Sequence, residues 1–425
     1  MNRSGMLDHG RKEPDFPEAP PMKKIVLIVM DGLGDRPNHV LHGKTALQAA
    51  YRPNLNYLAS MGINGMMHPI KPGIRSGSDT SHLSLLGYDP QKVYTGRGPF
   101  EALGIGLEVM PGDVAFRANF GTVDSDNTVI DRRADRISRG TEFLAASLNM
   151  EIEGYSFKVK EGVEHRAALV IHGPGLSSAV TDSDPHEVGK KINTVQGIDE
   201  TGTRTAELVN RFLESARRIL ANHPVNAERI KEGLKPANQI LLRGAGKAPD
   251  LEPFSKKYSM KGACIAGIPM ITGLCNMIGM EIIKVKGATG RTDTNYEGKI
   301  SALIQALKTN DFVILNFKGT DVAGHDGDPL LKKSVIERID RAISPLKDLL
   351  QDTVIAITGD HSTPCSMKDH SGDHVPILFV TYGNLRDQVR HFDEISCMNG
   401  ALEINSINVM EYLLQLSERS DKYGA

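Results

Sequence analysis

Apolar and polar positions alternate along this chain in two distinct ways. Residues 23–30 (KKIVLIVM) form a near-continuous apolar run that stops at Asp31-Gly32, the pattern of a parallel strand buried on both faces. FVILNF (312–317), TVIAITGD (353–360) and PILFVTYG (376–383) repeat it. Helical stretches lie between them. One covers 47–61, with Pro53 and Asn54 complicating its start. In 330–350, Val335, Ile336, Ile339 and Ile343 share one face until Pro345 interrupts or bends the helix. Strand–helix–strand alternation in both terminal thirds predicts an α/β fold: an open, mostly parallel sheet flanked by helices.

The middle third follows another pattern. TVDSDNTVI surrounds an Asp-Asn turn, FKVKEG and HRAALVIHG are polar strand candidates, and 204–222 forms a long amphipathic helix. These features predict a smaller α+β domain inserted into the sheet domain. The expected boundaries are 22–112 and 249–425 for the sheet domain and 113–248 for the insert. A chain of 425 residues exceeds the usual size of one core, which agrees with two domains.

Composition narrows the function classes. A formal net charge of -2 without a long basic stripe argues against a nucleic-acid partner held through phosphates. No apolar run approaches the ~20 residues that span a bilayer, so no membrane partner is expected. Residues 1–21 are polar and proline-containing without an apolar core, and are expected to be a disordered leader rather than a secretory signal. Cys264, Cys275, Cys365 and Cys397 lack CxxC spacing and the density of a disulfide framework, so a reducing cytoplasm is the expected location.

The chemistry concentrates at strand ends. Asp31 ends the first strand, Asp321 and His325 follow FVILNF, Asp360 and His361 close TVIAITGDH, and His370 follows in KDHSGDHVP. In an open α/β sheet the loops at the carboxyl ends of strands converge on the ligand. A mixed carboxylate and imidazole set suits Mn²⁺, Zn²⁺ or Mg²⁺ better than a thiolate-seeking metal. A single strand-end Asp is commonly only a helix cap, but three ends delivering Asp, Asp plus His, and Asp plus His form a cluster. In SGSDTSHLSLLGYDP, Ser78 sits where a tight turn meets a helix, and a helix N-terminus favours a phosphate oxyanion. Taken by itself, this stretch reads Ser76, Ser78 and Thr80 as turn and cap residues. No Gly-x-Ser-x-Gly elbow is present, so activation of a serine nucleophile would fall to metal.

IVMDGLGDRP, GSDTSHLSLLGYDP, YTGRGPFEALG, DTNYEGK, NFKGTDVAGHDGD, ITGDHSTPC and KDHSGDHVP together resemble the archaeal-type cofactor-independent phosphoglycerate mutases of the alkaline phosphatase superfamily. The resemblance runs over essentially the whole chain after residue 22. It implies interconversion of 3-phosphoglycerate and 2-phosphoglycerate in glycolysis and gluconeogenesis, without bisphosphoglycerate and through a phosphoserine at Ser78. It also implies two divalent ions, foremost Mn²⁺, with Mg²⁺, Zn²⁺ or Co²⁺ as alternatives. By this resemblance Asp31, Asp360, His361 and the Ser78 oxygen hold one ion, and Asp321, His325 and His370 hold the other. His374 stands where the related pattern usually has proline, and His370 is preferred because it lies six residues before Pro376.

A phosphoglycerate substrate needs cationic partners. Arg132, Arg133, Arg136 and Arg139 in IDRRADRISRG are candidates, with Arg133 and Arg136 favoured. Asp131 and Asp135 could instead pair with them on a solvated face. His186, Arg166 and Lys257 are further candidates for contacting substrate. The competing functions are a metal-dependent phosphomonoesterase or a phosphopentomutase on the same scaffold, and a non-catalytic metal-binding protein. The oligomeric state is left open by the sequence.

Overall fold

A computed structural model describes residues 22–422 and Gly424; the expected leader, 1–21, lies outside the described residues. Fourteen strands are found among them. Those of the larger sheet are β1 (Lys24–Met30), β2 (Ile63–His68), β9 (Gly262–Ile265), β10 (Glu281–Ile282), β11 (Phe312–Phe317), β12 (Thr353–Thr358), β13 (Val375–Val380) and β14 (Leu402–Asn405). Their order is β10-β9-β11-β1-β12-β13-β2-β14. β1 is central and pairs in parallel with both β11 and β12. Only β13 runs against its two neighbours, β12 and β2.

Continuous apolar runs are required here because helices cover both faces. Val26, Ile28 and Met30 join one core with Val313, Leu315, Ile355 and Ile357. Ile25, Leu27 and Val29 join the other with Ile314, Val354 and Ala356. Each fully buried side chain of this kind contributes about 1.5–3 kcal/mol. The stretch 47–61 is two helices, Ala46–Ala49 and Pro53–Met61, because Pro53 starts the second one rather than continuing the first. Likewise Pro329–Ala342 ends before Pro345, which opens a 3₁₀ turn at Ser344–Leu349.

The second sheet draws on residues 114–247: β3 (Val114–Val123), β4 (Val129–Asp131), β5 (Met150–Ile152), β6 (Tyr155–Glu161), β7 (Arg166–His172) and β8 (Gln239–Lys247). All its pairings are antiparallel. Side chains alternate between faces. Val114, Phe116, Ala118, Phe120, Leu169, Ile171, Ile240 and Leu242 form a core with Val209, Phe212 and Ala216 of the helix Thr203–Ala221. The opposite parity puts Arg117, Asn119, Arg166 and Arg243 on the face away from that helix.

The chain crosses between the two sheets twice, at neighbouring points. Thr95 Oγ1 donates to the Lys247 carbonyl. Gly96, with φ +133°, packs so closely that a Cβ there would lie 2.2 Å from the Ala245 carbonyl oxygen. No helix among the described residues is long and apolar enough to cross a membrane, and the four cysteines are buried and unpaired.

Candidate functional site

The carboxyl ends of β1, β11 and β12 bring three carboxylates together. Asp31 directly follows β1, Asp360 lies just beyond β12, and Asp321 stands in the first turn of the helix Gly319–Asp326 after β11. Asp31 and Asp360 are fully buried and Asp321 almost so. The loop after β1 can enter this site only because residue 32 is glycine. Its φ is +63°, and a Cβ would lie 2.6 Å from Thr363 Oγ1 and 2.7 Å from the Asp321 Cα.

Ser78 is the first residue of the helix Ser78–Leu85, capped by Gly77. Its Oγ is 3.0 Å from His361 Nε2 and 3.3 Å from Asp31 Oδ1. His361 Nε2 also lies 3.3 Å from Asp360 Oδ2, 3.6 Å from Asp31 Oδ1 and 4.0 Å from Asp321 Oδ1. A second group forms around Asp321 Oδ1, which is 3.5 Å from both His325 Nε2 and His370 Nε2. His325 and His370 approach within 3.2 Å of each other. His374 lies elsewhere, its ring meeting the edge of His68 at 5.7 Å.

Three residues not singled out by the sequence complete this arrangement. The Lys318 ammonium lies 2.7 Å from both Asp31 Oδ1 and Asp321 Oδ2 and donates to Ser78 Oγ at 3.1 Å. Asn316, the inward polar residue of β11, donates to Asp31 Oδ2 at 3.0 Å. His82 donates from Nδ1 to the Ser78 carbonyl at 2.7 Å, and its Nε2 accepts from Asn316 at 3.3 Å. His82 stands close enough to Asp31 and Asp360 to resemble a ligand. With both ring nitrogens engaged, it braces the serine helix instead. A lysine after a strand normally reads as a solvated stop, which hides Lys318 in a sequence.

The electrostatics show what the cluster lacks. Burial, reinforced by the Asp360 charge, pushes the Asp31 carboxyl up to about 7. Burial pulls Lys318 down, but Asp31, Asp321 and Asp360 outweigh it and hold the ammonium above its ordinary value. Burial lowers His361 to about 4, leaving a neutral ring. One lysine thus faces three carboxylates, and the buried Asp360 Oδ2 has no hydrogen-bond partner among the described residues. An orphaned carboxylate oxygen amid oxygen and imidazole donors fits divalent metal ions.

The second sheet carries the opposite charge. A cavity of about 200 Å³ on the face away from the helix Thr203–Ala221 is lined by Arg117, Asn119, Arg132, Arg133, Arg136, Glu164, His165, Arg166 and Arg243. Arg117 and Arg243 are direct cross-strand partners, an unfavourable like-charge pairing. Burial, followed by the Arg97 and Arg243 charges, lowers Arg117 to about 9 even though Glu101 works against it. Burial and the surrounding arginines lower His165 to about 4. Arg117 Nε, Arg243 Nε, His165 Nδ1 and Asn119 Oδ1 are buried without hydrogen-bond partners. The orphaned guanidinium N–H groups, in a cavity where arginines outnumber carboxylates, fit an anion.

Asp131 and Asp135 do not neutralise this cavity. Both pair with Lys235, at 3.1 and 2.9 Å, and Arg133 and Arg136 have no carboxylate partner among the described residues. Arg132 is clamped by Asp184 through bonds of 3.0 and 2.6 Å. His186 and Lys257 lie outside the cavity. His186 Nε2 pairs with Asp182 at 2.9 Å on an exposed loop, and the Lys257 ammonium lies over the Tyr88 and Tyr258 rings at 5.3 and 5.4 Å. Arg117, Arg243, His165 and Asn119 were not evident from the sequence, although Arg117 visibly interrupts the apolar run VAFRANF.

A family model described as 2,3-bisphosphoglycerate-independent phosphoglycerate mutase matches residues 59–226. A protein of that name from Thermoplasma volcanium is 54% identical over 404 residues, covering 95% of this chain and 99% of the relative. One from Methanocaldococcus jannaschii is 48% identical over 409 residues, with 95% and 99% covered. A solved cofactor-independent phosphoglycerate mutase from Thermoplasma acidophilum aligns at TM-score 0.72 and 50% identity, over 93% of this chain and 100% of its own. A solved Pyrococcus horikoshii protein aligns at TM-score 0.84 and 38% identity, over 96% and 100%. The chain therefore belongs to the 2,3-bisphosphoglycerate-independent phosphoglycerate mutases.

Proposed function

We propose that the chain interconverts 3-phosphoglycerate and 2-phosphoglycerate through a phosphoserine at Ser78. The observation that carries this reading is the position of Ser78 Oγ, at a helix N-terminus and within 3.3 Å of His361, Asp31 and Lys318. Asp31, Asp360, His361 and Ser78 would hold one divalent ion, and Asp321, His325 and His370 a second, with Mn²⁺ the expected metal. When bound, the ions supply Lewis-acid charge that lowers the pKa of the serine hydroxyl and neutralises the phosphoryl oxygens.

The rest falls to the chain's own groups. Lys318 donates to Ser78 Oγ and so favours its deprotonated form. The positive end of the serine helix faces the incoming phosphoryl group. In the first transfer Ser78 Oγ bonds to phosphorus as the bond from phosphorus to the glycerate 3-oxygen breaks. The proton lost by Ser78 is returned at that glycerate oxygen. The glycerate then turns, its 2-oxygen bonds to phosphorus as the bond from Ser78 Oγ to phosphorus breaks, and the proton lost by the 2-hydroxyl passes to Ser78 Oγ. Phosphoryl transfer needs mainly positioning and charge neutralisation, and the glycerate must not escape between the two steps. Arg133, Arg136 and Arg166, with Arg117 and Arg243, are suited to grip its carboxylate and phosphate. Every residue lining that cavity belongs to 117–243 and none to the acidic cluster. The reading therefore includes a substrate-binding insert, 113–248, that closes over the sheet-end cluster.

The test is conversion of 3-phosphoglycerate with Mn²⁺ and no bisphosphoglycerate, following 2-phosphoglycerate and free phosphate together. Isomer formation with little phosphate release, abolished by chelator and by Ser78→Ala, is the expected result. Phosphate release without isomer would replace the mutase reading with hydrolysis. Activity surviving Ser78→Ala would remove the phosphoserine.

A further inference from the structure

Between the two groups of candidate ligands stands one hydroxyl. Thr363 Oγ1 lies 2.7 Å from Asp321 Oδ1 and 3.1 Å from His361 Nδ1, and the residue is fully buried. The direction of each bond follows from the donor inventory. Asp321, paired with Lys318 at 2.7 Å, is an acceptor, so the hydroxyl proton goes to Asp321. The hydroxyl oxygen can then only accept from His361, which places the imidazole proton on Nδ1. Nε2 is left as the lone pair, and it is Nε2 that faces Ser78, Asp360 and Asp31.

We propose that Thr363 is a positioning residue of the metal site, fixing His361 in its Nε2-ligating tautomer while orienting Asp321 of the other ligand group. This rests on the metal-dependent reading above.

The surroundings hold Thr363 in register. Its backbone N–H donates to the Gly34 carbonyl at 3.1 Å. The fully buried Lys332 ammonium donates to both the Thr363 and Gly34 carbonyls at 2.9 Å. Taking an ammonium out of water is costly, and a lysine that served only to fill space would be replaced there by an apolar side chain without loss. Here it ties the loop after β1 to the loop after β12. Gly324, on the helix that carries Asp321 and His325, packs so tightly that a Cβ would lie 2.4 Å from the Thr363 carbonyl oxygen. Three ligand-bearing segments thus meet at one residue. Outer groups that orient metal-ligating histidines typically change metal affinity by about 10- to 100-fold when removed.

The test uses the whole chain with Thr363→Val, which keeps the branched shape, and Thr363→Ser, which keeps the hydroxyl. Mn²⁺ binding by titration calorimetry and the visible spectrum of the Co²⁺-loaded protein are the readouts. Affinity about tenfold or more weaker in the valine variant, with an altered Co²⁺ spectrum and recovery in the serine variant, is expected. The KM for 3-phosphoglycerate at saturating Mn²⁺ should stay unchanged. Wild-type affinity in the valine variant overturns the proposal, as does a serine variant as weak as valine. Should the valine variant fail to fold, Thr363→Ala against Thr363→Ser decides by the same criterion. If the wild-type chain itself takes up no Mn²⁺, the metal-dependent reading falls, and this inference with it.

Discussion

The two charged regions of this molecule are built on opposite principles. At the ends of β1, β11 and β12, buried carboxylates crowd around a single lysine and leave one carboxylate oxygen without a partner. On the face of the smaller sheet away from the helix Thr203–Ala221, arginines crowd together and leave guanidinium nitrogens without partners. Each region is electrostatically incomplete in the sense that the other is not. In the proposed function the first is closed by cations and the second by an anion. A phosphorylated hydroxy acid can meet the ions with its phosphate and the arginines with its remaining charge. On the proposed reading, the difference teaches that substrate recognition pairs two deficits, neither of which suffices alone.

Separating the two deficits tests that view most severely. Arg133→Met and Arg136→Met should each lower kcat/KM by about two orders of magnitude (roughly 2–4 kcal/mol) while Mn²⁺ binding by calorimetry stays at the wild-type value. Weakened metal binding in either variant would break the division into two independent regions.

A smaller effect is expected beneath the acidic region. Glu394 accepts from the Asp35 N–H at 3.2 Å and from Thr45 Oγ1 at 2.7 Å, and burial pushes it from 4.5 up to about 7. Its folded-state value is raised, so its contribution to stability is complete below about 4.5 and is lost as pH rises through about 7. That loss is on the order of 2–3 kcal/mol. Between pH 5 and 8 the melting temperature of the wild-type chain should therefore fall more than that of Glu394→Gln. Parallel pH profiles would show that the carboxyl does not titrate in this range.

The smallest effect concerns the arginine turn. Ala134, Asp135 and Arg136 adopt left-handed φ values of 45°, 54° and 55° in succession, a conformation that non-glycine residues avoid. Lys235 holds the turn through Asp131 and Asp135, and Arg229 donates to the Ala134 carbonyl at 2.8 Å. Lys235→Met should raise the KM for phosphoglycerate severalfold and change kcat less. A change in kcat alone would mean that the turn does not present the arginines to substrate.

The two regions also differed in how far they could be read from the chain. Strand-end carboxylates are legible because a buried parallel strand has a recognisable run and its carboxyl end is the functional end. Asp31, Asp321, His325, Asp360, His361 and His370 are brought together for that reason. The direction of β13 was not legible, since an apolar run looks the same in either orientation. The arginine cavity depends on pairing between distant strands. Arg117 stands opposite Arg243 only because β3 and β8 are in that register, which no local pattern reveals. Local proximity left open whether Asp131 and Asp135 neutralise the nearby arginines. Lys235, far along the chain, takes both carboxylates, and Arg133 and Arg136 are left without a carboxylate partner among the described residues. Thr363 and Asn316 escaped notice because hydroxyl and amide side chains next to charged ones carry no pattern of their own.

The adjacency of the two crossings near Thr95 and Lys247 has one more consequence. Seen from the larger sheet, the smaller sheet is a side branch whose ends touch, although Phe100 on the outgoing segment still packs in the larger core. Joining residue 95 to residue 247 by a short turn would delete the branch without rethreading a single strand of the main sheet. If the proposed roles hold, cation binding and anion recognition sit on separate frameworks of one polypeptide, and either could change its partner while the other kept its framework.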